Sequence, residues 1–233
     1  MMTLLSRSYA LLAFLFVAVS VVNAQQQYSR AHLWEKEIDA FAEADGKTLP
    51  RRTEVLFTGS SSIRAWKSVA TDFADFSSLN RGFGGSHLED VVFYTPRIVV
   101  PYKPKVIVLY AGENDLTAGK TVARVFEDFN SFVLIVRKNL PKTRIIFVSL
   151  KPSPSRWRLR GQFQQLNELI KKKISGEKRL QYVDVWGPML DANGEARKDI
   201  FQSDGLHMNA EGYEIWRRVL APHIRQGVQG NFR

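Results

Sequence analysis

Near the end of the chain stands Asp204-Gly205-Leu206-His207. A carboxylate three residues before a histidine can turn back and hold the imidazole Nδ1 proton, leaving Nε2 free to take a proton from a hydroxyl. The same four residues also suit a surface turn or half of a metal site. A metal needs more ligands, and His32, His87 and His223 have no partners at ligand spacing, so no metal is expected. Gly59-Ser60-Ser61-Ser62 offers the hydroxyl. A serine at a strand-to-helix turn exposes its oxygen, and the helix N-terminus favours developing negative charge, although serines also cap helices without doing chemistry. Gly82-Phe83-Gly84-Gly85-Ser86 allows backbone N–H groups to approach a substrate closely, or is an ordinary tight turn. Gly112-Glu113-Asn114-Asp115 carries an amide that can donate to an oxyanion, or that merely makes an Asx turn.

Something must bring these four segments together. The apolar runs 54–58, 105–110 and 144–150 read as buried strands, 79–83 as a weaker strand and 180–185 as a fifth. Helical spacing predicts an amphipathic helix over 29–45, closed by Gly46, and further helices over 88–100, 122–140, 162–174 and 210–224, the last capped by Asn209. Continuous rather than alternating strands, interleaved with helices, mean an α/β fold with a parallel sheet covered on both faces. Ligands in such folds bind at the carboxyl ends of the strands. The four chemical segments follow strands or precede the last helix, so the topology gathers them at one sheet edge.

Serine, glycine, asparagine and Asp-x-x-His in that order resemble the SGNH hydrolase superfamily, the GDSL-like lipases and acylhydrolases. The resemblance runs from Glu54 to about Ile224. F-T-G-S-S-S-I-R-A-W (57–66) is similar to the first block, G-D-S-x, and places Ser61 at the nucleophile and Ser60 where the family has aspartate. N-R-G-F-G-G-S (80–86) places Gly85 at the oxyanion hole, with Gly84 as the fallback. Y-A-G-E-N-D (110–115) supplies Asn114, and D-G-L-H (204–207) supplies Asp204 and His207. The resemblance implies a three-layer α/β/α sandwich, a five-stranded parallel sheet of flavodoxin-like kind. It also implies a carboxylic ester hydrolase with a Ser61–His207–Asp204 triad, an oxyanion hole made by Ser61, Gly85 and Asn114, and no need of a cofactor.

The loop after the fourth strand, Lys151-Pro152-Ser153-Pro154-Ser155-Arg156-Trp157-Arg158, is stiffened by two prolines. Its arginines, Arg156 and Arg158, could face the site together with Trp157, which either stacks on a carbohydrate or anionic substrate or packs on the body of the protein; Glu113 either bonds near the oxyanion hole or is solvated. Trp66 and Trp186 read as core. A short acyl group on a carbohydrate or small molecule is the expected substrate. A lysophospholipase- or thioesterase-like activity on longer chains is the alternative, and a non-catalytic carbohydrate-binding module the remote one.

Composition narrows the field further. The 233 residues contain no cysteine, which excludes a disulfide scaffold, a cysteine nucleophile and a thiolate metal site. The net charge is +10, but the basic residues are spread along the chain, and the run Lys171-Lys172-Lys173 falls late in a predicted helix, where it suits the dipole. No aromatic stripe accompanies them, so no nucleic-acid partner is expected. Residues 1–24 read as a secretory signal peptide, with Arg7, an apolar run over 10–22 and Val22-Asn23-Ala24 before the cut. That run is too short to span a bilayer. The expectation is a single catalytic domain over 25–233, exported to a bacterial periplasm or outside the cell, with no stable membrane anchor after cleavage.

Overall fold

A computed structural model describes residues 30–47 and 53–230. The proposed signal segment lies outside the described residues. The described residues hold five strands, β1 (Val55–Gly59), β2 (Ser78–Gly82), β3 (Val106–Tyr110), β4 (Arg144–Val148) and β5 (Leu180–Val183). They are all parallel and ordered β2-β1-β3-β4-β5. Every residue of β1 and β3 is buried, as expected of central strands made of Val, Ile, Leu and Phe. The chain leaves β1 to one side for β2 and returns on its other side for β3. The topological switch, and with it the crevice for a ligand, therefore lies at the carboxyl ends of β1 and β3.

The helices are α1 (Glu35–Lys47), α2 (Ser61–Arg64), α3 (Val69–Asp72), α4 (Leu88–Ile98), α5 (Glu113–Thr117), α6 (Val122–Asn139), α7 (Arg160–Ile174) and α8 (Ala210–Gln229). One face of the sheet carries α4, α6 and α7, which pack in succession, and the other carries α8. Beneath α8, Phe57, Trp66, Phe73, Tyr213 and Trp216 form one aromatic cluster with ring centroids 5.1–6.4 Å apart. Trp66 and Trp186 are buried, as their sequence context suggests.

The boundaries differ from the sequence expectation where local chemistry intervenes. The first helix opens as a 3-10 turn, Ala31–Trp34, and runs through Gly46 to Lys47 instead of stopping at Gly46. The second ends at Ile98, before the 3-10 turn that contains Pro101. The last continues five residues beyond Ile224, because Val228 also packs on the core and the left-handed Gly230 provides the stop. Its start is as expected, with the Asn209 side chain accepting the Gly212 N–H at 3.1 Å. Lys171, Lys172 and Lys173 do end α7.

α1 and the 3-10 turn that leads into it hold the loop after β2. The Trp34 indole donates to Asp90 at 3.0 Å, Tyr94 donates to Glu35 at 2.9 Å, and Arg97 bridges Glu35 and Asp39 at 2.7 Å each. Glu37 accepts the Gly84 N–H at 3.0 Å, and the Trp34 ring lies so close over Gly84 that a Cβ there would meet it at 1.8 Å. The helix thus clamps the glycine loop that follows β2.

Candidate active site

β1 ends in Gly59, whose φ of +136° and approach to the Tyr110 carbonyl leave no room for a side chain; a Cβ would lie 1.9 Å from that oxygen. The next residue, Ser60, is extended and buried, and its N–H donates to the same carbonyl at 3.0 Å. The chain then turns into α2, and Ser61 is its first residue. Its amide therefore has no partner in a preceding helical turn. The Ser61 Oγ lies 3.0 Å from His207 Nε2, and His207 Nδ1 lies 2.6 Å from Asp204 Oδ2. The other Asp204 oxygen accepts the Leu206 and His207 amides at 2.8 and 2.9 Å. Burial would raise the Asp204 carboxyl, but the His207 ring and these two amides outweigh it and hold the pKa at about 2. An ionised carboxylate only accepts, so neutral His207 must carry its proton on Nδ1 and present a lone pair at Nε2 to the serine.

The structure brings Asn114 and Gly85 to the same place. Asn114 Nδ2 donates to the Ser86 carbonyl at 3.0 Å, and a Cβ built on Gly85 would sit 3.8 Å from that nitrogen. Gly84, the fallback, does not face this space, because its N–H is taken by Glu37 and its α-carbon is covered by Trp34.

The two substrate-loop candidates differ in burial. Trp157 is half-buried, packed against the core, stacked on Trp186 with centroids 6.1 Å apart, and overlaid by Arg160. Glu113 is buried, bonded to Lys151 Nζ at 2.7 Å and to Ser153 Oγ at 2.9 Å. Lys151 is itself fully buried and reaches Ser62 Oγ and Tyr110 OH, each at 3.3 Å. Ser62, one residue after Ser61, thus faces a buried cation rather than solvent. Lys151 escaped the sequence reading: it reads as a loop cation, and only the fold turns it inward. Arg156 was expected to face the site, but as a substrate contact; its partner there is Asn114, at 2.8 Å.

Asp115 was also missed. Fully buried, it accepts the Leu88 N–H at 2.9 and 3.1 Å and Lys120 Nζ at 2.9 Å, and so ties the Asn114 loop to the start of α4. Around it burial dominates titration. It drags the His87 pKa from 6.5 to about 4 and lifts that of Asp128 from 3.8 to about 6. The two oppose each other in acid. His87 costs stability as pH falls from about 6.5 towards 4, because the unfolded chain takes that proton first. Asp128 adds stability as pH falls through about 6 towards 3.8, because the folded chain takes that one first. Asp128→Asn is therefore expected to lose melting temperature faster than wild type between about pH 6.5 and 4.5, and His87→Gln more slowly. Parallel thermal-denaturation profiles for all three proteins would refute this balance.

Comparison with known proteins agrees with the fold. The model of the GDSL-like Lipase/Acylhydrolase family matches residues 46–215. The human platelet-activating factor acetylhydrolase IB subunit alpha1 is 26% identical over 186 residues, covering 76% of this chain and 77% of that protein. The crystal structure of a GDSL-like lipase from Bacteroides thetaiotaomicron superposes with a TM-score of 0.68 at 21% identity, over 84% of this chain and 98% of that one. A carbohydrate esterase family 3 structure from Talaromyces cellulolyticus superposes with a TM-score of 0.61 at 15% identity, over 76% and 99%. With the family model spanning well over half of its length, the chain belongs to the GDSL-like lipase/acylhydrolase family and is an ester hydrolase.

Proposed function

We propose that the protein is an exported serine esterase in which Ser61, His207 and Asp204 form the catalytic triad. The observation that carries this reading is the unbroken chain Ser61 Oγ–His207 Nε2 at 3.0 Å and His207 Nδ1–Asp204 Oδ2 at 2.6 Å. His207 Nε2 accepts the Ser61 proton as Oγ bonds to the ester carbonyl carbon. The oxyanion is held by the Ser61 and Gly85 amides and the Asn114 side chain. The intermediate collapses, the carbon–oxygen bond to the alcohol breaks, and His207 returns the proton to the leaving oxygen. Water then attacks the acyl-serine with His207 again as base, releasing the carboxylic acid and free Ser61. No step calls for a metal or cofactor.

The proposed substrates are short-acyl esters, acetyl above all, of a carbohydrate or small molecule. Support comes from the human relative, which is named an acetylhydrolase, and from the Talaromyces neighbour, which is named a carbohydrate esterase. Export rests on the signal-like character of residues 1–24. Hydrolysis of nitrophenyl esters from acetyl to long acyl tests the substrate class. The kcat/KM is expected to be highest for acetyl and to fall as the chain lengthens. A maximum at eight carbons or more, a length of roughly 10 Å, would replace this reading with a lipase-like one.

A further inference from the structure

We propose that Arg156 is a positioning residue for the oxyanion hole, acting through Asn114; the proposal rests on the reading of Asn114 as an oxyanion donor. An asparagine amide has two ends of nearly equal shape, and only the nitrogen end can donate to an oxyanion. Something must therefore choose the flip. Arg156 Nη2 lies 2.8 Å from Asn114 Oδ1. A guanidinium has five donors and no acceptor, so it can face only the oxygen end. The nitrogen end is thereby turned the other way, where one hydrogen goes to the Ser86 carbonyl at 3.0 Å and the second is left pointing to the space beside Gly85. A charged donor on Oδ1 also polarises the amide and strengthens what its nitrogen can donate.

Arg156 is in turn held. Its side chain is 15% exposed, and Nη1 lies 3.8 Å from Glu113 Oε2. Glu113 is pinned by Lys151 and Ser153 from behind. On the same loop, Ser155 donates through both its N–H and its hydroxyl to the Gly205 carbonyl, at 3.1 and 3.0 Å. One segment, stiffened by Pro152 and Pro154, therefore touches the Asn114 amide and the Asp204–His207 turn together. The guanidinium is committed to this work, which argues against the substrate-facing part that its place in the loop first suggests.

The test measures Arg156→Ala, Arg156→Lys, Asn114→Ala and the double Asn114→Ala/Arg156→Ala with nitrophenyl acetate. Losing a whole oxyanion donor costs about 10²- to 10³-fold, so misorienting one is expected to lower kcat about 10- to 100-fold with KM within about twofold. Arg156→Lys, also a donor without an acceptor, is expected to recover most of the loss. In the Asn114→Ala background the Arg156→Ala change is expected to do nothing more. Should Arg156→Ala fail to fold, Arg156→Met keeps the aliphatic stem and enters the same comparison. A second readout is independent of turnover. Exchange of the Asn114 side-chain amide protons, followed by NMR and assigned by their loss in Asn114→Ala, is expected to be about tenfold faster in Arg156→Ala. Multiplying losses in the double variant, a change in KM alone, or wild-type amide exchange in Arg156→Ala would overturn the proposal. A wild type that cleaves no ester would sink the catalytic reading instead, and the exchange measurement would still decide whether Arg156 pins the amide.

Discussion

Ser61→Ala is expected to lower kcat/KM for a short-chain ester on the order of 10⁴- to 10⁶-fold, and His207→Ala to lower it as far. The reason is geometric. Ser61 Oγ is a weak nucleophile until its proton has somewhere to go, and His207 Nε2 stands 3.0 Å away. Removing either partner removes the same step. The double variant Ser61→Ala/His207→Ala is therefore expected to be no worse than either single one. Both side chains lie at the carboxyl edge of the sheet and Ser61 is only half-buried, so stability should stay within about 0.5 kcal/mol of wild type. Kinetics and thermal denaturation on the same preparations separate the two effects. Full activity in Ser61→Ala would mean that another hydroxyl reacts, but the neighbours are poorly placed. Ser60 and Ser62 are buried, and the Ser62 Oγ faces Lys151. Losses that multiplied in the double variant would argue against a triad.

Ser60 stands where the family motif carries an aspartate. Its backbone still makes the turn, donating to the Tyr110 carbonyl at 3.0 Å and accepting from Ile63 and Arg64 at 2.9 and 3.1 Å. The conformation needed to present Ser61 therefore does not depend on a carboxylate at position 60.

The sheet was legible because β1, β3 and β4 are continuous apolar runs, and a strand buried on both faces has no other way to be written; β2, Ser-Leu-Asn-Arg-Gly, is half-buried and gave the weaker signal. The site was legible in outline for a related reason. Ser61, Gly85 and Asn114 each follow a strand, and parallel strands bring their carboxyl ends to one edge. What stayed hidden depends on pairs far apart in the chain. Lys151 meets Glu113 across 38 residues, and Arg156 meets Asn114 across 42. No period or composition marks such a pair. The short helices α3 and α5 were also invisible, being four and five residues long and so little more than one turn. Trp34 was legible as part of an amphipathic face, yet nothing in its spacing says that it closes over Gly84.

The hidden pair carries the second large expected effect, on stability. Lys151→Met is expected to cost about 3–5 kcal/mol, because it leaves the buried Glu113 carboxylate without its closest cation. Burial pushes Glu113 up, but the attraction of Lys151 and then Arg156 overcomes it and keeps the carboxyl below its usual range. For Lys151 burial prevails and lowers the pKa, with Glu113 opposing. Glu113 thus stays ionised only while its cations are present. Taking away Lys151 leaves Arg156 alone at 3.8 Å and strips the Ser62 and Tyr110 hydroxyls of a shared donor. In a protein of this size the melting temperature should fall by roughly 6–20 °C. Neutralising both ends in Lys151→Met/Glu113→Gln should restore more than half of the loss, since an apolar or neutral replacement of a buried ion pair is often tolerated. Stability and activity then part company. The double variant keeps its fold but loses the carboxylate that anchors Arg156, so its kcat should remain depressed although its melting temperature recovers. If Lys151→Met melted within about 0.5 kcal/mol of wild type, the pair would count for no more than a surface contact. Recovery of full kcat together with stability would instead show that the oxyanion loop holds its geometry without Glu113.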